Sequence, residues 1–119
     1  MVTGTSACSS DAPTVERQPG KQLYVALGDS FTAAPYVPET DAANGCIRSS
    51  GNYPNLVIEA RGDLQLIDVS CGGATSADME AEQATSSGGT QPPQFDSLTE
   101  DASLVTLGIG GNDLSLIHI

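Results

Sequence analysis

The sequence predicts an α/β fold built around a parallel sheet, and three observations carry that prediction. Apolar runs at residues 23–27, 64–69 and 103–109 are short and nearly continuous, the pattern of strands buried on both faces. A helix-forming segment at residues 55–61 separates the first two runs. Strand, helix and strand in that order imply a right-handed crossover and parallel pairing. The first run stops at Gly28 and the third enters Gly108, Gly110 and Gly111, glycines that permit a tight exit from a strand.

Each element has a local reason. Residues 1–21 carry small and polar side chains, Pro13 and Pro19, and no helical or strand period, so they read as a tail. Asn52 offers a helix cap, Pro54 an early proline, residues 55–61 about two turns of helix, and Gly62 a closing glycine. Thr75 or Ser76 can cap a second helix beginning over residues 75–80, with Asp78 and Glu80 where the helix dipole favours acids. Residues 83–94, rich in Gly, Ser, Thr and Pro, have no period and form a surface loop that either borders a site or merely connects. Residues 95–99 suggest a short helical turn before the third buried strand. No internal repeat is evident.

Composition bounds the function. The chain has 119 residues, 39% hydrophobic and 16% charged, enough for one small globular unit. Fifteen acidic against four basic side chains give a formal net charge of -11, which opposes binding to nucleic acid or anionic lipid. No apolar run approaches the roughly 18 residues of a membrane span. Three cysteines are an odd count for an exported protein, and Cys8 in the tail is the natural one to stand apart. A bond between Cys46, in a Gly/Ser-rich loop, and Cys71, at the end of the second strand, would close a loop of about 25 residues, worth about 3 kcal/mol on chain-entropy grounds. The alternative is a pair of buried free thiols in a cytosolic protein.

The chemistry gathers at strand ends. Ser30 follows the first strand directly in Gly28-Asp29-Ser30, and Asn112 follows the third in Gly110-Gly111-Asn112-Asp113. A serine and an asparagine at carboxyl ends of strands can face one crevice, where open α/β sheets bind ligands. A nucleophilic hydroxyl with an amide aimed at an oxyanion suits acyl transfer. Each residue also has a plain reading: Ser30 as a helix cap, Gly73 as a turn needing positive φ, Asn112 as an Asx-turn. Asp29 reads as a turn-stabilising acid. No metal site is expected, since there is no His pair, no closely spaced Cys pair and no carboxylate cluster.

Gly28-Asp29-Ser30, the glycine in Ser70-Cys71-Gly72-Gly73-Ala74-Thr75, and Gly110-Gly111-Asn112-Asp113 resemble three of the four sequence blocks of the SGNH (GDSL) hydrolases. The secreted esterases and lipases of actinobacteria are the nearest likeness, over residues 22–113, with lesser matches at Gly45-Cys46-Ile47-Arg48-Ser49, Asn52-Tyr53-Pro54 and Gln91-Pro92-Pro93-Gln94-Phe95. The resemblance implies a flavodoxin-like three-layer α/β sandwich and a serine ester hydrolase. Ser30 would be its nucleophile, with Ser30, Gly73 and Asn112 as the oxyanion hole, Gly28, Asp29 and Asp113 in support, and Gly72 a less well matched neighbour of Gly73. It also implies the Cys46 to Cys71 pairing, no cofactor, a monomer, and an acyl ester substrate: a small molecule, lipid or glycan ester. The alternative is a non-catalytic surface module that binds acylated glycan or lipid.

Two segments depart from that pattern. The family's fourth block, an Asp two residues ahead of the catalytic His, is missing, and the sole histidine, His118, is not assigned as a base. The chain as written is therefore expected to have little esterase activity. Residues 114–119 match the translation of CTG TCT CTT ATA CAC ATC, similar to a transposase mosaic end used to tag sequencing libraries, and are expected to be adaptor sequence; the alternative is the start of an apolar helix. At the other end, Thr5-Ser6-Ala7-Cys8-Ser9-Ser10-Asp11 resembles a bacterial lipoprotein processing site. The basic and apolar parts of such a signal are absent, which fits a start codon placed too far downstream. An extracellular or cell-envelope location, with Cys8 as the lipidation candidate, follows from that reading; the alternative is a flexible tail with an incidental cysteine.

Overall fold

Strand β1 (Gln22–Gly28) is the axis on which the other elements hang, in a computed structural model that describes residues 15–41 and 44–118, the last four of these by backbone alone. The lipoprotein-like segment and Cys8 lie outside the described residues. After β1 come α1 (Ser30–Ala33), a two-stranded ribbon of β2 (Thr40–Asp41) and β3 (Arg48–Ser49), helix α2 (Tyr53–Ala60) and strand β4 (Leu64–Asp68). A single 3-10 turn (Ser76–Met79), a second ribbon of β5 (Gln83–Ala84) and β6 (Thr90–Gln91), a 3-10 turn (Gln94–Ser97), β7 (Ala102–Gly108) and α3 (Gly111–His118) complete it.

The central sheet has the order β4-β1-β7, and both pairings are parallel. Val25 lies opposite Ile67 on one side and Val105 on the other, and Gly28 lies opposite Gly108. Every residue of β1 after Gln22 is buried. Its alternate side chains serve opposite faces: Leu23, Val25 and Leu27 pack with Met79 and with Ile67 and Val69. Tyr24 and Ala26 pack with Leu64 and with Val57 and Ile58 of α2. Each fully buried apolar side chain of this strand contributes about 1.5–3 kcal/mol, so β1 anchors both layers at once.

Helix α2 starts as its sequence suggests. The Asn52 side chain accepts from Asn55 N at 3.1 Å, and Pro54 fills an early position where no N–H is required. Its other end differs: Arg61 is extended, at φ -118° and ψ 91°, so the helix stops without a left-handed glycine and Gly62 is not its cap. The helix expected at residues 75–80 is one 3-10 turn, closed by Asp78 accepting from Thr75 N at 2.8 Å. Beyond it the chain turns into the β5-β6 ribbon, so residues 83–94 are partly regular. Strand β7 is not buried on both faces. It is paired on one side only among the described residues, and Val105 and Leu107 are 45% and 51% exposed.

The stretch ahead of β1 is held against the sheet. Gln18 N donates to Gln65 Oε1 at 2.9 Å, Gln65 Nε2 donates to Glu16 O at 2.8 Å, and Arg17 pairs with Asp101 at 2.7 Å. Cys46 and Cys71 form the disulfide, with Cα atoms 4.1 Å apart, and Gly72 N donates to Cys46 O at 2.9 Å, so the loop after β4 is tied to the loop ahead of β3.

At Gly28 both space and a backbone at φ +156° call for glycine. A Cβ there would lie 2.8 Å from Gly108 O and 2.9 Å from Thr32 Cβ, whereas one at Gly62 would meet nothing within 4 Å. Gly28→Ala is expected to cost about 1–3 kcal/mol in urea unfolding, as overpacking does. Gly62→Ala is expected to be neutral or stabilising by about 0.5 kcal/mol. Equal effects at the two positions would contradict the packing shown.

Candidate active site

Three loops leave the carboxyl edge of the sheet side by side: β1 into α1, β4 into the turn at Ser76, and β7 into α3. In the first, Asp29 is the helix cap. It is 2% exposed, and its Oδ1 accepts from Phe31 N at 2.9 Å. Capping therefore does not fall to Ser30, which is the first residue of the helix. Neither the Ser30 hydroxyl nor the Ser30 N–H has a hydrogen-bond partner among the described residues. An unspent N–H is what the first turn of a helix provides.

In the second loop, Cys71 N donates to Gly28 O at 3.0 Å and so fastens the loop to the end of β1. Gly73 follows, exposed and at φ +85°. A Cβ at Gly73 would meet only Gln83 Nε2, at 3.7 Å, so backbone conformation and not space calls for glycine there. The Gly73 N–H is likewise without a partner among the described residues.

The third loop is bound to the second through consecutive residues. Asn112 Nδ2 donates to Ala74 O at 2.9 Å, which uses one hydrogen of the side-chain amide and leaves the other. The Asp113 carboxylate accepts from Ser76 N at 2.9 Å and from Ser76 Oγ at 2.6 Å. The third loop also approaches the first: a Cβ at Gly111 would lie 3.6 Å from the Phe31 ring and 3.8 Å from Asp29 Oδ2. Ser30, Gly73 and Asn112 are thus carried by loops that touch one another.

Three concavities border β4 without including Ser30, one of them, of about 590 Å³, lying beside Gln18, Lys21, Ile58 and Gln65. Another, of about 350 Å³, is lined by Arg48, Ile67, Val69, Pro92, Pro93 and others. The third, of about 440 Å³, is lined by Glu39, Asp41, Arg48, Asn55 and Asp68 among others. Among the described residues no group of three His, Cys, Asp or Glu side chains could hold a metal ion. The sequence reading missed the Ser76–Asp113 contact and the pairing of Gln94 with Gly28, at 2.9 and 3.0 Å. Gln94 was visible only as part of a short matching string.

Ser30, Gly73 and Asn112 thus stand on adjoining loops at the carboxyl edge of a parallel α/β sheet, where open sheets of this class bind ligands. The chain belongs to the GDSL-like lipase/acylhydrolase family, whose sequence profile matches residues 26–118. It is 40% identical over 114 residues to Lipase 2 of Streptomyces coelicolor, covering 95% of this chain and 35% of that protein. It is 32% identical over 105 residues to an esterase of Streptomyces scabiei, covering 80% of this chain and 30% of that one. The chain therefore spans about a third of the length of the curated relatives it matches. Phospholipase A1 from Streptomyces albidoflavus NA297 superposes with a TM-score of 0.63 at 30% identity, over 82% of this chain and 37% of the other. The extracellular lipase of Streptomyces rimosus gives 0.63 at 26% identity, with the same coverage.

The Ser76 hydroxyl, and after it the Ser76 N–H, hold the Asp113 carboxyl below its ordinary value of 3.8. A carboxyl lowered in the folded state stabilises it above the unfolded value, and that contribution is lost as pH falls through the folded value. The tie between the second and third loops is thus expected to be intact at neutral pH and to release below pH 3.8. NMR titration of Asp113 is expected to give a midpoint below 3.8, returning toward it in Ser76→Ala. A midpoint unmoved by that substitution would contradict the contact.

Proposed function

We propose that this chain carries the nucleophile and oxyanion hole of an exported serine ester hydrolase. The observation that supports the reading best is the trio of unspent N–H donors, from Ser30, Gly73 and the Asn112 amide, on three touching loops at the end of β1 where Ser30 stands. Ser30 Oγ attacks the ester carbonyl carbon and gives its proton to a base. The carbonyl π electrons move onto oxygen, and the three donors hydrogen-bond the resulting oxyanion. Collapse expels the alcohol, which takes the proton from the base; water then repeats the sequence on the acyl-enzyme and restores the serine. Each donor is worth about 10²- to 10³-fold in rate.

Exposed apolar side chains support an acyl substrate: Phe31 is 85% and Tyr36 76% exposed, and both follow Ser30 closely in sequence. The names of the relatives, lipase and esterase, agree with esters as the substrate class. The Cys46–Cys71 bond supports an oxidising, extracytoplasmic location. In this reading the base and its orienting Asp come from sequence C-terminal to Asp113, and Cys8 serves as a lipid anchor.

The test is hydrolysis of p-nitrophenyl acetate and butyrate by the chain as written and by the product of the reading frame continued past Asp113. The chain as written is expected to stay at background, because in this reading the proton acceptor of Ser30 is supplied by sequence beyond Asp113. The continued product is expected to be active, and Ser30→Ala to remove at least about 10⁴-fold of its rate. Retention of rate in Ser30→Ala, or full turnover by the chain as written, would overturn the proposal.

A further inference from the structure

Where β4 stops pairing, β1 still has peptide groups to satisfy. The last backbone bonds from the β4 side are Val69 N to Ala26 O at 2.9 Å and Cys71 N to Gly28 O at 3.0 Å. They leave the Gly28 N–H, in a buried residue, without a strand partner. The side chain of Gln94 takes that place: its Oε1 accepts from Gly28 N at 2.9 Å and its Nε2 donates to Gly28 O at 3.0 Å. One primary amide thus does for Gly28 what a neighbouring peptide does for the rest of β1.

The clamp is preorganised. Gln94 is 4% exposed and opens a 3-10 turn directly after Pro92 and Pro93, with Pro93 extended at φ -54° and ψ 136°. Two prolines remove backbone freedom from the approach, so less entropy is lost in holding the amide. Gly28 is two residues ahead of Ser30, and Asp29 between them caps α1, so the orientation of the Gly28 peptide sets where the helix and its first hydroxyl begin. We propose that Gln94 is a positioning residue for Ser30, acting through the Gly28 peptide. The inference rests on Ser30 being the nucleophile.

The test follows the isotopically labelled chain by NMR, so its outcome does not depend on whether the chain hydrolyses esters. In Gln94→Leu the Gly28 amide is expected to exchange about tenfold faster, as loss of its hydrogen bond allows, while the Val25 amide is unchanged. The Ser30 Cβ and N–H resonances are expected to move. Gln65→Leu removes the other buried glutamine clamp, the one on residues 16–18, and is expected to leave the Ser30 resonances in place. Gln94→Glu supplies a second reading if Gln94→Leu fails to fold. Its carboxyl, when protonated, can still donate to Gly28 O, and when ionised it faces that oxygen and repels it. The Ser30 resonances are expected to be near wild type at low pH and to shift as the new carboxyl titrates. Gly28 exchange within twofold of wild type, Ser30 signals unmoved in Gln94→Leu, signals in Gln94→Glu that ignore pH, or an equal effect from Gln65→Leu would each overturn the proposal. Absence of ester hydrolysis would bear on the function and leave these readings intact.

Discussion

The peptide of Gly28 has to be hydrogen-bonded without help from water, and the site is arranged around meeting that demand. It ends a strand buried on both faces, where an unpaired N–H or C=O costs about 1–3 kcal/mol. Cys71 satisfies its carbonyl from one loop and Gln94 satisfies both of its groups from another. Gly108 lies opposite it and leaves no room for a side chain. Three segments far apart in sequence are thereby drawn to the point where the chain turns into Ser30.

The same economy runs through the neighbouring loops. The disulfide fixes Cys71, Cys71 fixes Gly28, and Asn112 and Asp113 fix Ala74 and Ser76. Rigid placement of donors matters to acyl transfer because an oxyanion exists only fleetingly, and donors already in place need no reorganisation. The opposite margin of the sheet is different. Val105 and Leu107 expose apolar surface on β7, an edge of the kind that larger α/β sheets cover or extend.

Much of this was legible in the chain. Residues 23–27 are a continuous apolar run because β1 is central, and Asn52 with Pro54 marks the start of α2 because few other pairs suit those positions. The parallel order followed from strand, helix and strand. Residues 103–109 misled, since an apolar run cannot say whether both faces are covered, and β7 is marginal among the described residues. Gly62 misled because the helix ends by extension, and a glycine after a helix need not be its cap. Ser30 also looked like a cap, but Asp29 one residue earlier takes that role, a choice between neighbours that local propensity does not make. Gln94 and the Ser76–Asp113 contact were out of reach for another reason: both join residues well separated in sequence, with no period or spacing to announce them.

The most direct measurement is a crystal structure of the continued gene product after reaction with an alkylphosphonate ester, which leaves a tetrahedral phosphorus on the nucleophile. The expected result is a bond from phosphorus to Ser30 Oγ, with one phosphonyl oxygen about 2.7–3.1 Å from Ser30 N, Gly73 N and Asn112 Nδ2 together. An adduct on another residue, or a phosphonyl oxygen turned to solvent with those three donors unengaged, would contradict the account.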